Sequence, residues 1–518
     1  MATETHTTTT TATDVAPPAL FTKAPSSPTK APPPSRLASA NGHAPGLSPP
    51  AIATTPPSPK IQHVAAVHSR LRTSCLSHDS GSTPSFLGFR NLMVLVLIVS
   101  NLRLMVENFI KYGVLICLRC HDYRRQDVVL GAFLFLLIPC HLFGAYMIEV
   151  AAAAQAKRTI GRRKKDDVSD LAAVQRPEER RKALSTWRMI GLAHAINATL
   201  GLCITSAVVY WFIHHPLIGT ACELHAIIVW LKTCSYAFSN RDLRLALLFP
   251  ATATQLPAIY AACPYPQNIT IQNLSYFWWA PTLVYQPVYP RTDRIRLGFV
   301  AKRLAETAVL SMFIWILSAQ YAAPVLRNSL DKMQTLNVAS IIERLMKLST
   351  ISLIIWLAGF FAVFQSLLNG LAELMMFGDR EFYTDWWNSP SVGTYWRTWN
   401  KPVYQFMRRH VYTPLIGRGC NPNVASAIVF IFSGFLHELL VGIPTHNILG
   451  VAFVGMVIQI PMIAITLPLE KMKGTNGKII GNAIFWISFC LVGQPLAALL
   501  YFFAWQAKYG SVSKALMR

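Results

Sequence analysis

From about residue 90 onward, long apolar runs alternate with shorter polar or aromatic connections. A helix must be about 20 residues long to cross the roughly 30 Å of hydrocarbon in a bilayer. Runs at 91–118, 128–152, 189–213, 220–238, 301–322, 348–373, 423–444, 447–469 and 478–506 meet that demand and predict nine transmembrane helices. Two connections, 239–298 and 378–422, are long and amphipathic, and the second holds four of the chain's thirteen tryptophans. They predict helices lying in the interface, with Trp278 and Trp279 at headgroup depth. In the first run, Arg103, Glu107 and Lys111 recur at four-residue spacing, so they form one stripe that can pair along the helix and face protein rather than lipid. The predicted fold class is an all-α polytopic membrane bundle.

Composition agrees: 53% of the 518 residues are hydrophobic, only 14% are charged, and the mean hydropathy is +0.36. A soluble chain carries about a quarter charged residues. The net charge of +23 is gathered in places, with ten Lys/Arg against five Asp/Glu between Lys157 and Lys182. Beside membrane spans such a run marks a cytosolic loop facing anionic lipid, and the nucleic-acid reading is set aside. Counting outward from that loop puts the N-terminus and both long connections in the cytosol and the C-terminus in the lumen. The sequons at Asn268 and Asn273 then face the cytosol and are expected to be unglycosylated.

Residues 1–85 are rich in Thr, Pro, Ala and Ser, cannot bury a core, and are expected to form a disordered cytosolic tail. No apolar run follows Met1, so the first span is expected to act as the internal anchor. The membrane domain is placed at 86–508, with a short lumenal tail at 509–518. The ten cysteines form no disulfide ladder, and Cys117-Leu-Arg-Cys120-His121 is taken as a chance match to a haem-attachment pattern.

Two features carry chemistry. The connection before the seventh run places Trp386, Trp387, Trp396 and Trp399 ahead of Lys401, Arg408, Arg409, His410 and Arg418. It is either a helix resting on lipid phosphates or a vestibule whose rings line an apolar entrance while the guanidinium groups grip a polyphosphate. The seventh run itself, "IVFIFSGFLHELLVGIP", carries His437 and Glu438 side by side. Ionisable groups are costly in hydrocarbon and mark functional sites by default, although a lone His can also be a core residue bonded to a neighbouring helix.

The segment "FYTDWWN", Phe382 to Asn388, matches the FYxDWWN signature of the diacylglycerol and sterol acyltransferases, a branch of the membrane-bound O-acyltransferase superfamily. With "APTLVYQPVYPR", "YWRTWNKPV", "RRHVYTP", "QIPM" and "GQPLAALLY", the chain from 90 to 508 resembles the type 1 diacylglycerol acyltransferases. The resemblance implies a nine-helix bundle with a reaction chamber inside the bilayer, entered by acyl-CoA from the cytosol and by a lipid acceptor from the side. It implies that His437 is catalytic with Asn400, 37 residues before it. It further implies that Met456, Gln459 and Gln494 line the chamber, and that Tyr412, Arg408 and Arg409 lie near the CoA entrance. Asn388 and Trp396 join the expected substrate-binding set; Phe382, Tyr383, Asp385, Trp386 and Trp387 are the signature itself. Tyr404 departs from the pattern, since many relatives have His there.

Esterification from a thioester needs a base for the acceptor hydroxyl and donors for the carbonyl oxygen as it gains charge. A neutral imidazole supplies the first, and the amide of Asn400, Gln459 or Gln494 the second, without bringing a full charge into the bilayer. An acyl-enzyme on Ser433, one turn before His437, is the alternative route. No metal site is expected, because "HELLV" lacks the second His of HExxH, and no cofactor beyond the substrate acyl-CoA. Glu438 lies about 100° around the helix from His437, so it is expected to support geometry from a partner helix. Expected partners are acyl-CoA, diacylglycerol or a sterol, and membrane lipids. By resemblance, the chain is a homo-oligomer in the endoplasmic reticulum membrane. The rival of another class is a transporter using His437 and Glu438 as a proton relay, against which stands the lack of a visible inverted repeat.

Overall fold

The computed structural model describes residues 87–115, 124–165, 177–250, 256–328, 338–472 and 476–516. The tail at 1–85 and the Cys117–His121 stretch lie outside the described residues. The chain divides into two compact units, a small one that contains α1 (Leu87–Tyr112) and a large one that contains everything described from Val114 onward. Within α1, Arg103 donates to Glu107 at 2.8 Å, as the stripe predicts. Lys111 lies instead over the ring of its neighbour Tyr112.

The described residues of the large unit are mostly helical, joined by turns and irregular connections, and an isolated bridge pairs Arg291 with Phe377. Eight helices among the described residues are long and apolar enough to cross a membrane, and each corresponds to one of the runs from the second to the ninth. They are α2 (Arg125–Leu137) continued past Pro139 by α3 (Cys140–Lys165), α4 (Pro177–Phe212), α5 (Pro216–Leu248), α7 (Leu297–Leu317) extended to Arg327, and α8 (Val338–Phe360) extended to Leu374. Then follow α11 (Pro422–Gly442), α12 (Val451–Val457) with α13 (Gln459–Lys471), and α14 (Asn476–Ile487) with α15 (Gln494–Leu516). The last helix thus runs through most of the segment read as a tail. Between the spans lie α6 (Ile271–Trp279), α9 (Val392–Thr398) and α10 (Lys401–Phe406).

The fourth span runs ten residues past the end that the pattern predicts. Asn240 and Arg244 made 239–248 look like a connection, but both are buried, because α5 offers them internal partners. Arg244 pairs with the buried Glu149 of α3 at 2.8 Å, and His194 of α4 meets the same carboxylate at 3.0 Å. One acid thus joins three helices. Lys232 of α5 works likewise on the first long connection: its ammonium donates to the carbonyls of Phe277, Trp278 and Ala280 at 2.8, 2.9 and 2.8 Å. A helix C-terminus leaves carbonyls unmatched, and a cation there answers both their hydrogen bonding and the helix dipole. Trp279 at the same end is 54% exposed, as an interfacial ring should be.

Both sequons are built into this connection. Asn268 is buried and donates to Asn240 and to the Tyr285 hydroxyl at 2.7 and 3.0 Å. Tyr285 donates in turn to Asn273, whose amide donates to the Pro287 carbonyl, each at 2.8 Å. The two long connections meet where Gly378 donates to the Pro290 carbonyl at 2.8 Å and Thr292 to that of Met376 at 3.0 Å.

Candidate functional site

The FYTDWWN segment is a scaffold more than a lining. Phe382 and Trp386 are buried; the Trp386 ring packs edge-on against Trp356, Phe360, Tyr395 and Phe485. The Tyr383 hydroxyl donates to Gln365 at 2.7 Å. Asp385, Trp387 and Asn388 lie on the exposed side of the same turn. The vestibule reading therefore does not hold for Trp386, whose ring fills the core; Asn388, expected to bind substrate, is exposed. The backbone of the segment brackets Asn400: Thr384 N–H donates to the Thr398 carbonyl at 2.9 Å, and Lys401 N–H to that of Phe382 at 3.0 Å.

Asn400 is the N-cap of α10. Its Oδ1 accepts from Val403 N–H at 3.2 Å, one of the orphan donors of the first helical turn. The cap fixes the amide, so its NH₂ is the end left to donate elsewhere. Trp396, one turn earlier, packs edge-on against Phe430 of α11 and donates to Gln459 at 3.3 Å. That bond ties the connection to the break between α12 and α13, where Pro461 deprives the helix of a donor and Gln459 begins the second half. Met456 and Tyr412 are buried in the same cluster, against which Trp396, Leu436 and Leu440 pack from the side. Gln494 opens α15, but its side chain lies outside the described ones.

His437 sits on α11, half-buried, between Leu436 and Glu438. Its Nδ1 lies 2.8 Å from the Ser433 carbonyl and 3.4 Å from the Ser433 hydroxyl. A carbonyl only accepts, so Nδ1 carries the proton and Nε2 keeps its lone pair. Nε2 has no hydrogen-bond partner among the described residues, and no hydrogen bond joins His437 to Asn400. With Nδ1 already protonated toward the carbonyl, the imidazole is not arranged to take a proton from Ser433, which disfavours that serine as an acyl carrier.

Glu438 behaves as the helix geometry predicts. Its carboxylate accepts from Gly450 N–H at 2.9 Å, Phe453 N–H at 3.2 Å and the Tyr501 hydroxyl at 2.7 Å. Tyr501 itself accepts from Ala452 N–H at 3.1 Å. The exposed donors at the start of α12 are therefore satisfied by side chains of α11 and α15, with a negative charge at the positive end of the helix. Gly434 allows this close approach: a Cβ there would lie 2.9 Å from the Phe453 ring. Tyr501 was missed in the sequence as a functional partner, although it ends the "GQPLAALLY" match.

Arg408 and Arg409 lie on a π turn, Met407–Tyr412, that continues α10, an irregularity common at functional sites. They line a cavity of about 420 Å³ where the two long connections meet, together with Gln286, Tyr289, Asp379 and Gln405. Gln286 falls within the quoted "LVYQPVYP", yet nothing in its own pattern singles it out. Tyr404 stands beside Arg408, and burial pushes its hydroxyl above the ordinary tyrosine range. His410 turns the other way. The Ser235 hydroxyl accepts from Tyr285 N–H at 2.8 Å and lies in hydrogen-bond contact with His410 Nε2 at 2.7 Å. Burial, then the nearby Arg409 and Arg241, hold this imidazole down to about 3.

Residues 247–503 match the model of the membrane-bound O-acyltransferase family. The chain is similar to Diacylglycerol O-acyltransferase 1C of Glycine max, 34% identical over 86% of this chain and 80% of the relative. It is 35% identical to Diacylglycerol O-acyltransferase 1-2 of Oryza sativa subsp. japonica, covering 85% of each. It is 36% identical to Diacylglycerol O-acyltransferase 1 of Homo sapiens, covering 83% of each.

Proposed function

The chain belongs to the membrane-bound O-acyltransferase family, and from that premise we propose that it transfers a long-chain acyl group from acyl-CoA to the free hydroxyl of diacylglycerol, forming triacylglycerol. The observation that carries the reading is His437: its Nδ1 proton is committed to the Ser433 carbonyl, leaving the Nε2 lone pair for an incoming hydroxyl. Nε2 takes the hydroxyl proton as the oxygen attacks the thioester carbonyl. A C–O bond forms, and the electron pair of the carbonyl moves onto its oxygen, where the NH₂ of Asn400 and the amide of Gln459 can donate. The carbonyl then reforms, the C–S bond breaks, and CoA leaves as a thiol with the proton returned by the imidazolium. The reaction needs no resident cofactor.

Arg408 and Arg409 hold the CoA phosphates in the cavity beside them, with Met456, Trp396 and Tyr412 walling the apolar path inward. The enzyme works as a homo-oligomer in the endoplasmic reticulum membrane with its N-terminus in the cytosol. The basic loop between the second and third spans supports that orientation. Membranes containing the chain, given labelled acyl-CoA with diacylglycerol or ergosterol, test the reading against a His437→Ala control. Label in triacylglycerol that the control lacks is expected. Steryl ester as the main product would move the acceptor, and no ester at all would favour a transporter.

A further inference from the structure

A second cavity, of about 590 Å³, opens where three spans end, and it shares no residue with the Arg408–Arg409 cavity. Five cations line it: Arg162 and Arg163 from α3, Lys182 from α4, and Arg241 and Arg244 from α5. No acid is among its lining residues. Two acids stand outside the wall, since Glu149 holds Arg244 and the exposed Asp242 holds Arg241 at 2.7 Å. Arg163 donates to the Leu248 carbonyl at 2.6 Å, while Arg162 and Lys182 are exposed and in no ion pair among the described residues. The floor is organised as well. The Trp187 ring lies beneath both Arg241 and Arg244, at 5.2 and 5.7 Å, which holds the two guanidinium groups in place before any ligand arrives.

Like charges converging in a concave site repel one another unless an anion joins them. Position says which anion. The apolar spans Arg125–Arg163, Ser185–Phe212 and Pro216–Leu248 end at residues that line this cavity, so it lies at the depth where hydrocarbon gives way to headgroups. A soluble anion would meet it from water alone, whereas a phospholipid already holds its phosphate at that depth, with acyl chains alongside the exposed Met189 and Leu192 of α4. We propose that this cavity binds the phosphate headgroup of an anionic phospholipid, at a site separate from that for acyl-CoA.

The test uses the purified full-length chain and native mass spectrometry, with dioleoylphosphatidylglycerol as probe and dioleoylphosphatidylcholine as the neutral reference. Phosphatidylglycerol is expected to be retained in preference to phosphatidylcholine. The doubly substituted Arg162→Gln/Lys182→Gln chain should bind it at least about tenfold more weakly, since each cation near a membrane surface contributes on this scale. The charge-conserving Arg162→Lys/Lys182→Arg chain should retain it, and so should Arg408→Ala, which alters the other cavity. Both cations are exposed, so the melting temperature of each variant without added lipid should match that of the parent. Equal retention by the Gln variant overturns the proposal. So does displacement of the lipid by millimolar inorganic phosphate, which would make the ligand a soluble anion.

Discussion

Replacing Glu438 by Gln separates support from chemistry at the two ionisable groups of α11. The carboxylate accepts three hydrogen bonds, from Gly450, Phe453 and Tyr501. Hydrogen bonds to a charged group contribute roughly 1.5–3 kcal/mol each, and a buried group left unmatched costs about 1–3 kcal/mol. The amide of Gln can keep its oxygen on Phe453 and Tyr501, but its NH₂ then faces the Gly450 N–H, donor against donor. One bond is lost and the others lose their charge, so a destabilisation of about 2–3 kcal/mol is expected. This loosens the start of α12, which carries Met456 and leads to Gln459, yet touches neither nitrogen of His437. Activity per folded molecule should therefore stay within about tenfold of the parent, whereas losing a general base costs about 10²–10⁴-fold. The assay is label transferred from acyl-CoA to triacylglycerol by equal amounts of monodisperse purified enzyme, with melting temperature measured alongside. If Glu438→Gln were as inactive as His437→Ala while still folded, the carboxylate would belong to the proton path and the division of roles would be wrong.

Asn400→Ala removes both the helix cap and the amide donor, and should cost about 10²-fold or more in turnover; Asn400→Asp keeps the cap but not the donor, so recovery by Asp would refute the oxyanion role. Arg408→Ala or Arg409→Ala should raise the KM for acyl-CoA more than it lowers kcat, and the reverse pattern in steady-state kinetics would move these residues to the lipid surface. His410 is held neutral, so its folded pKa lies below the ordinary 6.5; protonation favours the unfolded chain as pH falls below that value. Stability should decline by up to about 1.4 kcal/mol per pH unit from this group alone between the two pKa values, and be untouched by it at higher pH. His410→Gln should flatten the melting temperature against pH from 6.5 to 4, and an unchanged slope would argue against it. The parent chain should show no glycosidase-sensitive mass shift, and Asn268→Gln should lower the melting temperature, because the longer amide cannot keep both the Asn240 and Tyr285 bonds; a mass shift that disappears in Asn268→Gln would reverse the orientation.

Much of this was legible without coordinates. Span length is a property of consecutive residues, so the run from 423 to 444 announced α11 directly. The helical angle between neighbours was enough to send Glu438 away from His437. The resemblance named His437 and Asn400, but not the reason Asn400 is held: that reason is the cap on Val403 and the pairing of Lys401 with Phe382. Apolar patterning also failed where polar residues were satisfied from afar, as with Arg244, whose acid lies 95 positions earlier, so that α5 looked shorter than it is. Trp386 looked like an entrance residue because its neighbours are polar, yet rings from three other segments enclose it.

The sequence by itself determined that this is a polytopic acyltransferase, because apolar run length and motif order are written along the chain, and its resemblance named the histidine proposed to bear the chemistry. Only the tertiary structure decided what each polar group in those runs is for: which nitrogen of His437 is available, which donors Glu438 answers, and where cations gather into cavities. The physical reason is that a buried hydrogen bond or ion pair takes its partner from wherever packing brings one, and sequence distance carries no trace of that choice.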